Sequence, residues 1–462
     1  MVWDITEGAI SPLANNKFKQ EQEIIPLAII GDGYTAAVFV YHLMKQGIPA
    51  GEITVFGRGL LGQGRAYGAK HQDYRLNVRA ELMQLDDDEP DAFPDWAKAN
   101  IDDPMAQTDA GAFYRRADYA RYLEAELQQC LKGDALTQVK KEIIALHQTD
   151  KGWQLTTDDE HYHAEKVVIA TGNPPSNPLF EIPLTFKNII NHSPWHFDGF
   201  EQLKTHQHIA IIGGGLTGLD LVTAFANSDF KGHISLITPE GFLPPEQLNW
   251  SQDKAESYRT DQWADAKLAS QFANIFLKFL DKNGLNNDEQ QERFEALRLD
   301  INQHWKILSL EDRKRLLKRF GWIWQKIRYR ATPQAHRAIA TLKDKNQLNI
   351  IADRVVNMAE DDGKAKLILD KGEAITADYV FVATGRGDDP LIQQLIKNNI
   401  AVSPFQTDAA HQVIMPFEND RLFALGPPTM MSQGDIFGAS TIAKYAKALA
   451  LQFKDARQTH GR

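Results

Sequence analysis

Cysteine is almost absent from this chain of 462 residues, in which Cys130 is the single example. A disulfide framework is therefore impossible, and so is a redox-active Cys-x-x-Cys pair. A disulfide reductase that carries its own cysteine pair is excluded.

The sequence also lacks an apolar run long enough to span a bilayer. The N-terminal stretch carries Asp4 and Glu7 early and has no apolar core of signal-peptide length. These absences predict a cytoplasmic protein with no membrane partner. Residues 1–22 are interpreted as an extension outside the main fold.

Positive charge is in deficit, with 51 Lys and Arg against 61 Asp and Glu and a formal net charge of -10. Because there is no long basic run either, nucleic acid and anionic lipid are not expected as main partners. The 14 histidines show no metal-ligand spacing supported by neighbouring cysteines or acidic clusters, and His161 and His163 are interpreted as part of a surface turn. No metal site is predicted.

One strand–turn–helix pattern occurs twice. An apolar run at 25–30 leads into the turn GDGYTA and a helical pattern, and a second run at 208–212 leads into GGGLTG and another helix. A further short strand follows each helix, at 53–56 and at 234–237. Each unit is thus a β-α-β unit of about 30 residues, and an α/β fold is predicted.

The two glycine-rich turns have the composition of dinucleotide sites. The first position permits a tight bend, the second lets the backbone approach a pyrophosphate, and the third keeps the helix close to the strand. The helix N-terminus then offers free N–H groups and the positive end of its dipole to the phosphates. One such turn can be mere geometry, but two in two β-α-β units predict two sites. The residues are Gly31, Gly33 and Ala36 in unit one and Gly213, Gly215 and Gly218 in unit two.

Two further strands end in the tripeptide Ala-Thr-Gly. Small residues are expected there because the chain passes close to a bound dinucleotide and changes domain. The order of unit one, tripeptide, unit two, tripeptide and C-terminal segment predicts a second Rossmann-like domain inserted in the first. The tripeptides supply Thr171, Gly172, Thr384 and Gly385; the predicted first domain covers 23–185 and 386–462, and the second covers 186–385.

Strand signals are missing between about 246 and 345, where Trp, Arg, Lys, Gln and Glu recur at helical spacing. This segment predicts a helical insertion in the second domain. It either covers the sheet and an interdomain cleft or walls a substrate pocket. One helix face is interpreted as cationic and aromatic, which amphipathic packing explains and which a carboxylate-bearing substrate would also suit. That face comprises Arg319, Trp322, Trp324, Arg328 and Arg330.

The acidic residue that usually bonds the ribose hydroxyls after the second strand is missing from unit one. Gly57 and Arg58 stand there, so the adenosine must be held from elsewhere, and Arg58 is a candidate to lie over the adenine or a phosphate. In unit two, Glu240 is placed to accept from a 2′-hydroxyl and to repel a 2′-phosphate, which favours NADH. A solvated loop carboxylate is the alternative, and an arginine of the insertion could still reach the site.

Several further stretches carry a family resemblance. They are 62–68 (GQGRAYG), 76–79 (LNVR) with Met83, 93–96 (FPDW), 116–123 (RADYARYL), 215–220 (GLTGLD) and 304–333 (HWKILSLEDRKRLLKRFGWIWQKIRYRATP). Through them the chain resembles, from about residue 25 to 453, the bacterial FAD/NAD(P)-binding proteins that are distantly similar to class B flavoprotein monooxygenases and N-hydroxylases.

The resemblance implies FAD in the first domain and NAD(P)H in the second, and it implies that 62–83 borders the flavin. Gly62 and Gly64 would allow a close backbone approach. Arg65 and Asn77 would offer donors to the isoalloxazine or a phosphate, with ordinary loop capping as the alternative.

Two stretches depart from the flavoprotein pattern. Gly426 is followed by two prolines where many flavoproteins have Gly-Asp, and Asp435 is hypothesised to replace that aspartate near the ribityl phosphate. The stretch 186–195 resembles a degraded F-x-G-x-x-x-H-x-x-x-W fingerprint, with Asn188 for the glycine and Trp195 one residue early. Its histidine, His192, is interpreted equally well as a structural linker residue or as a residue that moves the cofactor.

FAD beside a nicotinamide site implies hydride transfer to the flavin. The first hypothesis is an NAD(P)H-dependent FAD monooxygenase acting on a small substrate, with amino-acid-like molecules as a candidate class. Such an enzyme needs a dry pocket. The alternatives are a flavin dehydrogenase or reductase with another acceptor, and a non-catalytic dinucleotide-binding regulator. No catalytic residue is predicted.

Overall fold

The computed structural model describes residues 24–69, 71–177, 189–203, 207–259, 266–279, 288–419 and 421–460. The interpreted N-terminal extension and Asn188 of the fingerprint-like stretch lie outside these described residues.

Short apolar runs rich in branched residues form the central strands, because strands covered on both faces need apolar side chains on both. In chain order the described strands are β1 (Ile25–Ile30), β2 (Ile53–Phe56), β3 (Gln107–Thr108), β4 (Gly111–Ala112), β5 (Thr137–Val139), β6 (Ala145–Thr149), β7 (Gly152–Thr156), β8 (His161–Ile169), β9 (Ile190–Asn191), β10 (His208–Ile212), β11 (His233–Thr238), β12 (Leu348–Ala352), β13 (Val355–Asp361), β14 (Lys364–Leu369), β15 (Ala374–Ala377), β16 (Tyr379–Val382) and β17 (Leu422–Ala424).

Several helices begin at side-chain caps, and α1 and α6 begin at the glycine-rich turns. Ser309 and Thr332, for example, accept from backbone N–H groups three residues later and so start two helices. The described helices are α1 (Tyr34–Lys45), α2 (Gly64–Tyr67), α3 (Ala92–Asn100), α4 (Arg116–Leu131), α5 (Phe200–Leu203), α6 (Leu216–Ala226), α7 (Gln252–Ser257), α8 (Ala269–Phe279), α9 (Asp288–Ile307), α10 (Leu310–Arg328), α11 (Pro333–Asp344), α12 (Pro390–Lys397), α13 (Met430–Gln433) and α14 (Ala439–His460).

The first sheet has the order β5-β2-β1-β8-β7-β6, with β17 also paired to β8. Strands β5, β2, β1, β8 and β17 run parallel, whereas β7 pairs antiparallel with β8 and β6 pairs antiparallel with β7. Residues of α1, α4 and α14 form one core against this sheet, and residues of α12 join a second core on the other face. The C-terminal segment thus returns to complete the first sheet.

The second sheet is parallel throughout, with the order β12-β11-β10-β16-β9. Helices α6 and α11 pack on one face, and the antiparallel sheet β13-β14-β15 packs on the other. Helices α7 to α11 lie in the connection between β11 and β12. The predicted α/β fold, with one Rossmann-like domain inserted in another and a helical insertion, is confirmed. The boundary residues themselves stay predictions.

The interpretation of His161 and His163 as a surface turn is wrong, because both belong to β8. Alternate side chains of a strand lie on one face, and His161 and His163, exposed and half-buried respectively, fit the outer face of β8.

The two connections between the domains lie side by side. The Thr171 hydroxyl, at the end of β8, donates to Asp389 Oδ2 at 2.5 Å. Asn177 Nδ2 donates to Asp388 Oδ2 at 3.0 Å. The chain therefore leaves and re-enters the first domain through one hydrogen-bonded crossing.

A buried ion pair joins the domains a second time. Arg116 on α4 places Nη2 3.0 Å from Asp220 Oδ2 on α6. The Trp195 ring, at the linker between the domains, lies 5.7 Å from Arg116 Cζ. Three of the stretches quoted above therefore meet at this contact, although their positions in the sequence gave no sign of it.

The Asp220 carboxyl should make stability depend on pH. Burial raises its pKa to about 6, against the opposing effect of Arg116. An unfolded aspartate titrates near pH 4, so folding favours the protonated form, and the stability it confers is lost as the pH rises through about 6. Relative to Asp220→Asn, the free energy of unfolding of the wild type should fall by on the order of 2 kcal/mol between about pH 4 and pH 6. Above about pH 6 the difference should stay constant.

The measurement is the melting temperature of both proteins across this range, with the exposed Asp95→Asn as the control. A difference between wild type and Asp220→Asn that stays constant with pH would contradict the assignment.

Candidate dinucleotide sites and the cleft between them

The first glycine-rich turn joins β1 to α1 with a geometry that requires glycine. Gly31 has a φ of 121°, and a Cβ there would lie 2.3 Å from the carbonyl oxygen of Ala170. Helix α1 follows Gly33, and among the described residues no side chain caps it. Ala36 is fully buried in the core beneath the turn. The N–H groups of the first helical turn are therefore free to bind a pyrophosphate.

The second turn, between β10 and α6, repeats this arrangement. Gly213 has a φ of 113°, and a Cβ there would lie 2.3 Å from Ala383 O. A Cβ on Gly218 would lie 2.1 Å from Gly213 O, so helix and strand pack closely. A Cβ on Gly215, in contrast, would contact no described atom within 4 Å. The turn leaves open space in front of an uncapped helix N-terminus, and these residues fit a dinucleotide.

The Ala-Thr-Gly tripeptides lie beside the two turns, because Ala170 and Ala383 contact the first glycine of each. Gly172 and Gly385 have φ values of 71° and 99°, and a Cβ on either would meet no described atom within 4 Å. Thr384 is exposed, whereas Thr171 is held in the crossing between the domains. Both glycines thus face open space next to a predicted dinucleotide site, and their binding role stays a prediction.

The segment 62–68 closes over the first turn. Gly62 N donates to Asp32 O at 2.8 Å. Gly64 has a φ of 46°, and a Cβ there would lie 2.7 Å from the Cα of Gly33. In the structure these glycines therefore serve the close approach of two stretches of protein backbone. Their approach to a flavin stays a prediction.

Arg65, in the segment 62–68, and Asn77 are both half-buried. Burial lowers the pKa of the Arg65 guanidinium, and no ion pair to it is recorded in the described part of the chain. Such a cation suits an anionic ligand. The backbone carbonyl of Asn77 accepts from Gln247 Nε2 at 2.8 Å, which joins the segment around Asn77 to the insertion.

The two residues that follow the second strands both form ion pairs at the surface. The Arg58 side chain is 70% exposed, and Nη2 lies 3.2 Å from Glu142 Oε2, and its role towards the adenosine stays a prediction. Glu240 is 61% exposed and forms an ion pair with Lys326 of α10. A cation of the insertion does reach this position, but it is a lysine rather than the arginine considered above.

The C-terminal return packs against the first turn. A Cβ on Gly426, whose φ is 76°, would lie 2.8 Å from Thr35 Oγ1. Asp435 Oδ2 lies 2.7 Å from Arg328 Nε and 3.5 Å from Arg298 Nε. Burial opposes ionisation of this carboxyl, but the two arginines hold its pKa below the usual value. Asp435 thus anchors the insertion, and its role near the ribityl phosphate stays a prediction.

The interpretation of five residues of α10 as one cationic, aromatic face is wrong. Trp324 packs in the core of the insertion, while Arg319 and Trp322 are exposed. Arg330 lies beyond the end of the helix, is buried, and donates to Glu246 O at 3.1 Å. Trp322 and Trp324 lie on opposite sides of the helix because two residues turn an α-helix by roughly 200°, and Arg330 leaves the face because the helix ends at Arg328.

The insertion packs against both segments of the first domain. Arg79 Nη1 donates to Trp250 O at 2.9 Å, and the guanidinium stacks over the Trp250 ring at 4.4 Å. From α9, Trp305 Nε1 donates to Met431 O at 3.1 Å. The insertion therefore contacts both segments of the first domain, and its role as the wall of a pocket stays a prediction.

Other functional classes find little support. In the described part of the chain, one group of carboxylates, Asp86, Asp87 and Asp88, is spaced closely enough to hold a metal ion. Lys447 Nζ lies 2.7 to 2.8 Å from an oxygen of each, so a cation already occupies the group. None of the described helices has the length and apolar character to cross a bilayer.

Comparisons with known proteins agree with this geometry. A family model described as FAD-NAD(P)-binding matches residues 28–174. A second, described as L-lysine 6-monooxygenase/L-ornithine 5-monooxygenase, matches residues 109–318. The comparison with curated protein sequences finds no match.

Among solved structures, the chain is similar to an ornithine N-hydroxylase from Kutzneria sp. 744, with a TM-score of 0.63, 14% identity and coverage of 94% of this chain and 100% of that one. That enzyme was solved with reduced FAD, NADP+ and L-ornithine. L-lysine 6-monooxygenase from Pseudomonas syringae gives a TM-score of 0.61 at 12% identity, with coverage of 94% and 100%. A cadaverine monooxygenase from Erwinia amylovora gives 0.60 at 11% identity, with coverage of 94% of each chain.

The chain is similar in sequence and in fold to FAD- and NAD(P)-binding monooxygenases. The resemblance stated above is confirmed, together with the expectation of an oxidoreductase that uses FAD and NAD(P). The role of each site residue remains a prediction.

Gly215 offers a test of the nicotinamide site that does not disturb folding. Its φ of -75° suits any residue, and an added side chain would meet no described atom. Gly215→Val should therefore melt within about a degree of the wild type and retain its flavin. The KM for the nicotinamide donor should rise about tenfold or more, roughly 1.4 kcal/mol, because the side chain occupies the space of the pyrophosphate.

The measurements are the melting temperature, the flavin absorbance and the KM in anaerobic flavin reduction. Gly321→Val in α10, where a Cβ also meets no described atom within 4 Å, is the matched control. An unchanged KM in Gly215→Val would remove Gly215 from the site.

Proposed function

We propose that the protein is an FAD-dependent monooxygenase, reduced by NAD(P)H, that hydroxylates the amine of a small amino-acid-like substrate. The observation that carries the proposal is the pair of uncapped glycine-rich turns, one in each domain, together with an insertion that packs from the second domain onto both segments of the first. The match of residues 109–318 to a lysine/ornithine monooxygenase model supports the substrate class. The similar solved structures act, by their names, on ornithine, lysine and cadaverine.

We expect the insertion to keep water from the flavin, which would favour oxygen chemistry. An oxygenating flavin enzyme needs an enclosed pocket, since water would otherwise divert the oxygen to peroxide. The Arg79–Trp250 stack and the Gln247–Asn77 hydrogen bond hold the insertion against the segment that is expected to border the flavin, where it would act as a seal. An enzyme that only passed electrons to a large acceptor would gain nothing from such a seal.

FAD, when bound, supplies the hydride acceptor and the oxygen-activating group. The reaction balances as NAD(P)H, a proton, O₂ and the amine giving NAD(P)+, water and a hydroxylamine. The chain itself holds the cofactors at the N-termini of α1 and α6, offers Arg65 to an anionic group of FAD, and excludes water with the insertion.

A carboxylate on the substrate would suit the far end of the cleft. At the start of α14, a Cβ on Gly438 would lie 3.6 Å from Arg328 Nη2 and 3.7 Å from Arg298 Nη2. The recorded ion pairs of these arginines, with Asp435 and Glu295, use the Nε and Nη1 atoms. The two Nη2 atoms therefore remain for a carboxylate, which arginine binds well.

The first test is the visible spectrum of the purified protein under air, before and after NADPH or NADH, followed by assay of hydroxylamine formation. The flavin band should bleach with the donor and return as oxygen is consumed, with hydroxylamine from L-ornithine or L-lysine. Cadaverine lacks the carboxylate of L-lysine and is the matched control, so it should show a KM about tenfold higher.

Each other result has a definite meaning. A flavin band that bleaches and returns, with no hydroxylamine formed from any of the three amines, contradicts the amine substrate. Bleaching that persists under air indicates a dehydrogenase with another acceptor, and the absence of any flavin indicates a dinucleotide-binding regulator.

The Glu240–Lys326 ion pair should set the choice between NADH and NADPH. Glu240 would repel a 2′-phosphate, and Lys326 would attract it. Lys326→Ala should therefore shift the ratio of kcat/KM values towards NADH about tenfold, and Glu240→Gln should shift it towards NADPH by a similar factor. Exposed Lys318→Ala on the same helix is the control. Shifts in the same direction for both variants would contradict the assignment.

A further inference from the structure

The first β-α-β unit has no acidic side chain at the position where a dinucleotide fold needs one. Strand β2 ends at Phe56, and Gly57 follows where an acidic residue commonly bonds the ribose hydroxyls. Arg58 forms an ion pair with Glu142 on the surface. Neither residue offers an acceptor to a ribose, so the adenosine half of FAD lacks its usual partner.

A carboxylate from another part of the unit fills that place. Asp32, the central residue of the Gly31-Asp32-Gly33 turn, packs directly against Gly57. A Cβ built on Gly57 would lie 2.6 Å from Cβ, Cγ and Oδ2 of Asp32. The backbone at Gly57 does not need glycine for its φ, since that residue is not in the left-handed region. Position 57 therefore requires glycine because the Asp32 side chain occupies the space that any other side chain would need.

The Asp32 carboxylate is oriented by a hydrogen bond to one of its two oxygens. Gly59 N donates to Oδ2 at 2.5 Å. No donor to Oδ1 is recorded within the described residues, and the side chain is partly exposed to solvent. The loop is held in turn by Gln138, whose Nε2 donates to Gly59 O at 2.7 Å. One oxygen is thus fixed to the protein, and the other is available to accept from a ligand.

The location is the one that an adenosine ribose requires. Asp32 stands between the N-terminus of α1, where the pyrophosphate binds in this fold, and the carboxyl end of β2, where the ribose hydroxyls are bonded. We propose that Asp32, carried by the glycine-rich turn, bonds the adenosine ribose hydroxyls of FAD in place of the acidic residue that this unit lacks after β2. The proposal rests on FAD binding in the first domain, but on nothing about the substrate or oxygen.

The alternative role of Asp32 is to cap the 57–59 turn through Gly59 N and nothing more. Asp32→Asn separates the two roles. An asparagine oxygen still accepts from Gly59 N, so the turn survives, but the charged acceptor facing the ribose is lost. The dissociation constant of FAD from the deflavinated protein should then rise about tenfold or more, measured by quenching of flavin fluorescence. Exposed Asp134→Asn in the same domain is the control and should bind FAD as the wild type does.

A ligand pair identifies the contact itself. ADP and 2′,3′-dideoxy-ADP compete with FAD and differ only in the ribose hydroxyls. The wild type should prefer ADP about tenfold, and Asp32→Asn should largely lose that preference. A variant that keeps both the wild-type affinity for FAD and the preference for ADP overturns the assignment of Asp32. A wild type that binds no FAD overturns the proposed function as well.

The reciprocal exchange covers the case in which the single variant fails to fold. Gly57→Glu alone should lose FAD, because its side chain collides with Asp32. Combined with Asp32→Gly, the same change restores the usual arrangement of the fold and should recover FAD binding to within a fewfold of the wild type. A double variant no better than Gly57→Glu, or a Gly57→Glu protein that binds FAD normally, contradicts the exchange of roles between these two positions.

Discussion

The fold depends on one steric constraint that is met twice. In each dinucleotide unit the first glycine of the turn lies against the backbone carbonyl of the alanine that ends a neighbouring strand. The position of a Cβ would be 2.3 Å from that oxygen at both Gly31 and Gly213. Any side chain there would push the strand away and move the helix N-terminus that must face the phosphates. The same contact fixes each turn to the backbone at Ala170 or Ala383, immediately before the chain changes domain.

Because both turns are fixed to the strands that lead out of their domains, the crossing between the domains is part of the site. Thr171 and Asp389 join the two connections, and Arg116 with Asp220 joins α4 of the first domain to α6, which begins at the second turn. A buried ion pair adds little net stability, since desolvation offsets most of the attraction. Its effect is to specify how the two dinucleotide sites face each other, which hydride transfer between cofactors requires.

The helical insertion completes the cleft with polar contacts rather than a large apolar surface. It binds the first domain through Arg79 and through Asp435, on segments far apart in the chain. Hydrogen bonds of this kind are directional, so they fix the position of a wall over the cleft. The arginines that hold Asp435 also extend towards Gly438 at the start of α14, so the residues that anchor the insertion are those proposed to bind a substrate carboxylate.

The sequence by itself determined the two β-α-β units, their nesting and the helical insertion, because hydrophobic period and glycine spacing are local properties of the chain. It also indicated which turns bind dinucleotides. It did not indicate that β6 and β7, or the sheet β13-β14-β15, would pair as they do, and it mistook His161 for part of a turn. Contacts between distant segments were decided by tertiary structure alone: Glu240 with Lys326, Asp435 with Arg328, and Asp32 against Gly57. An ion pair or a shared space depends on how elements pack, and no local pattern in the sequence records which side chains will meet.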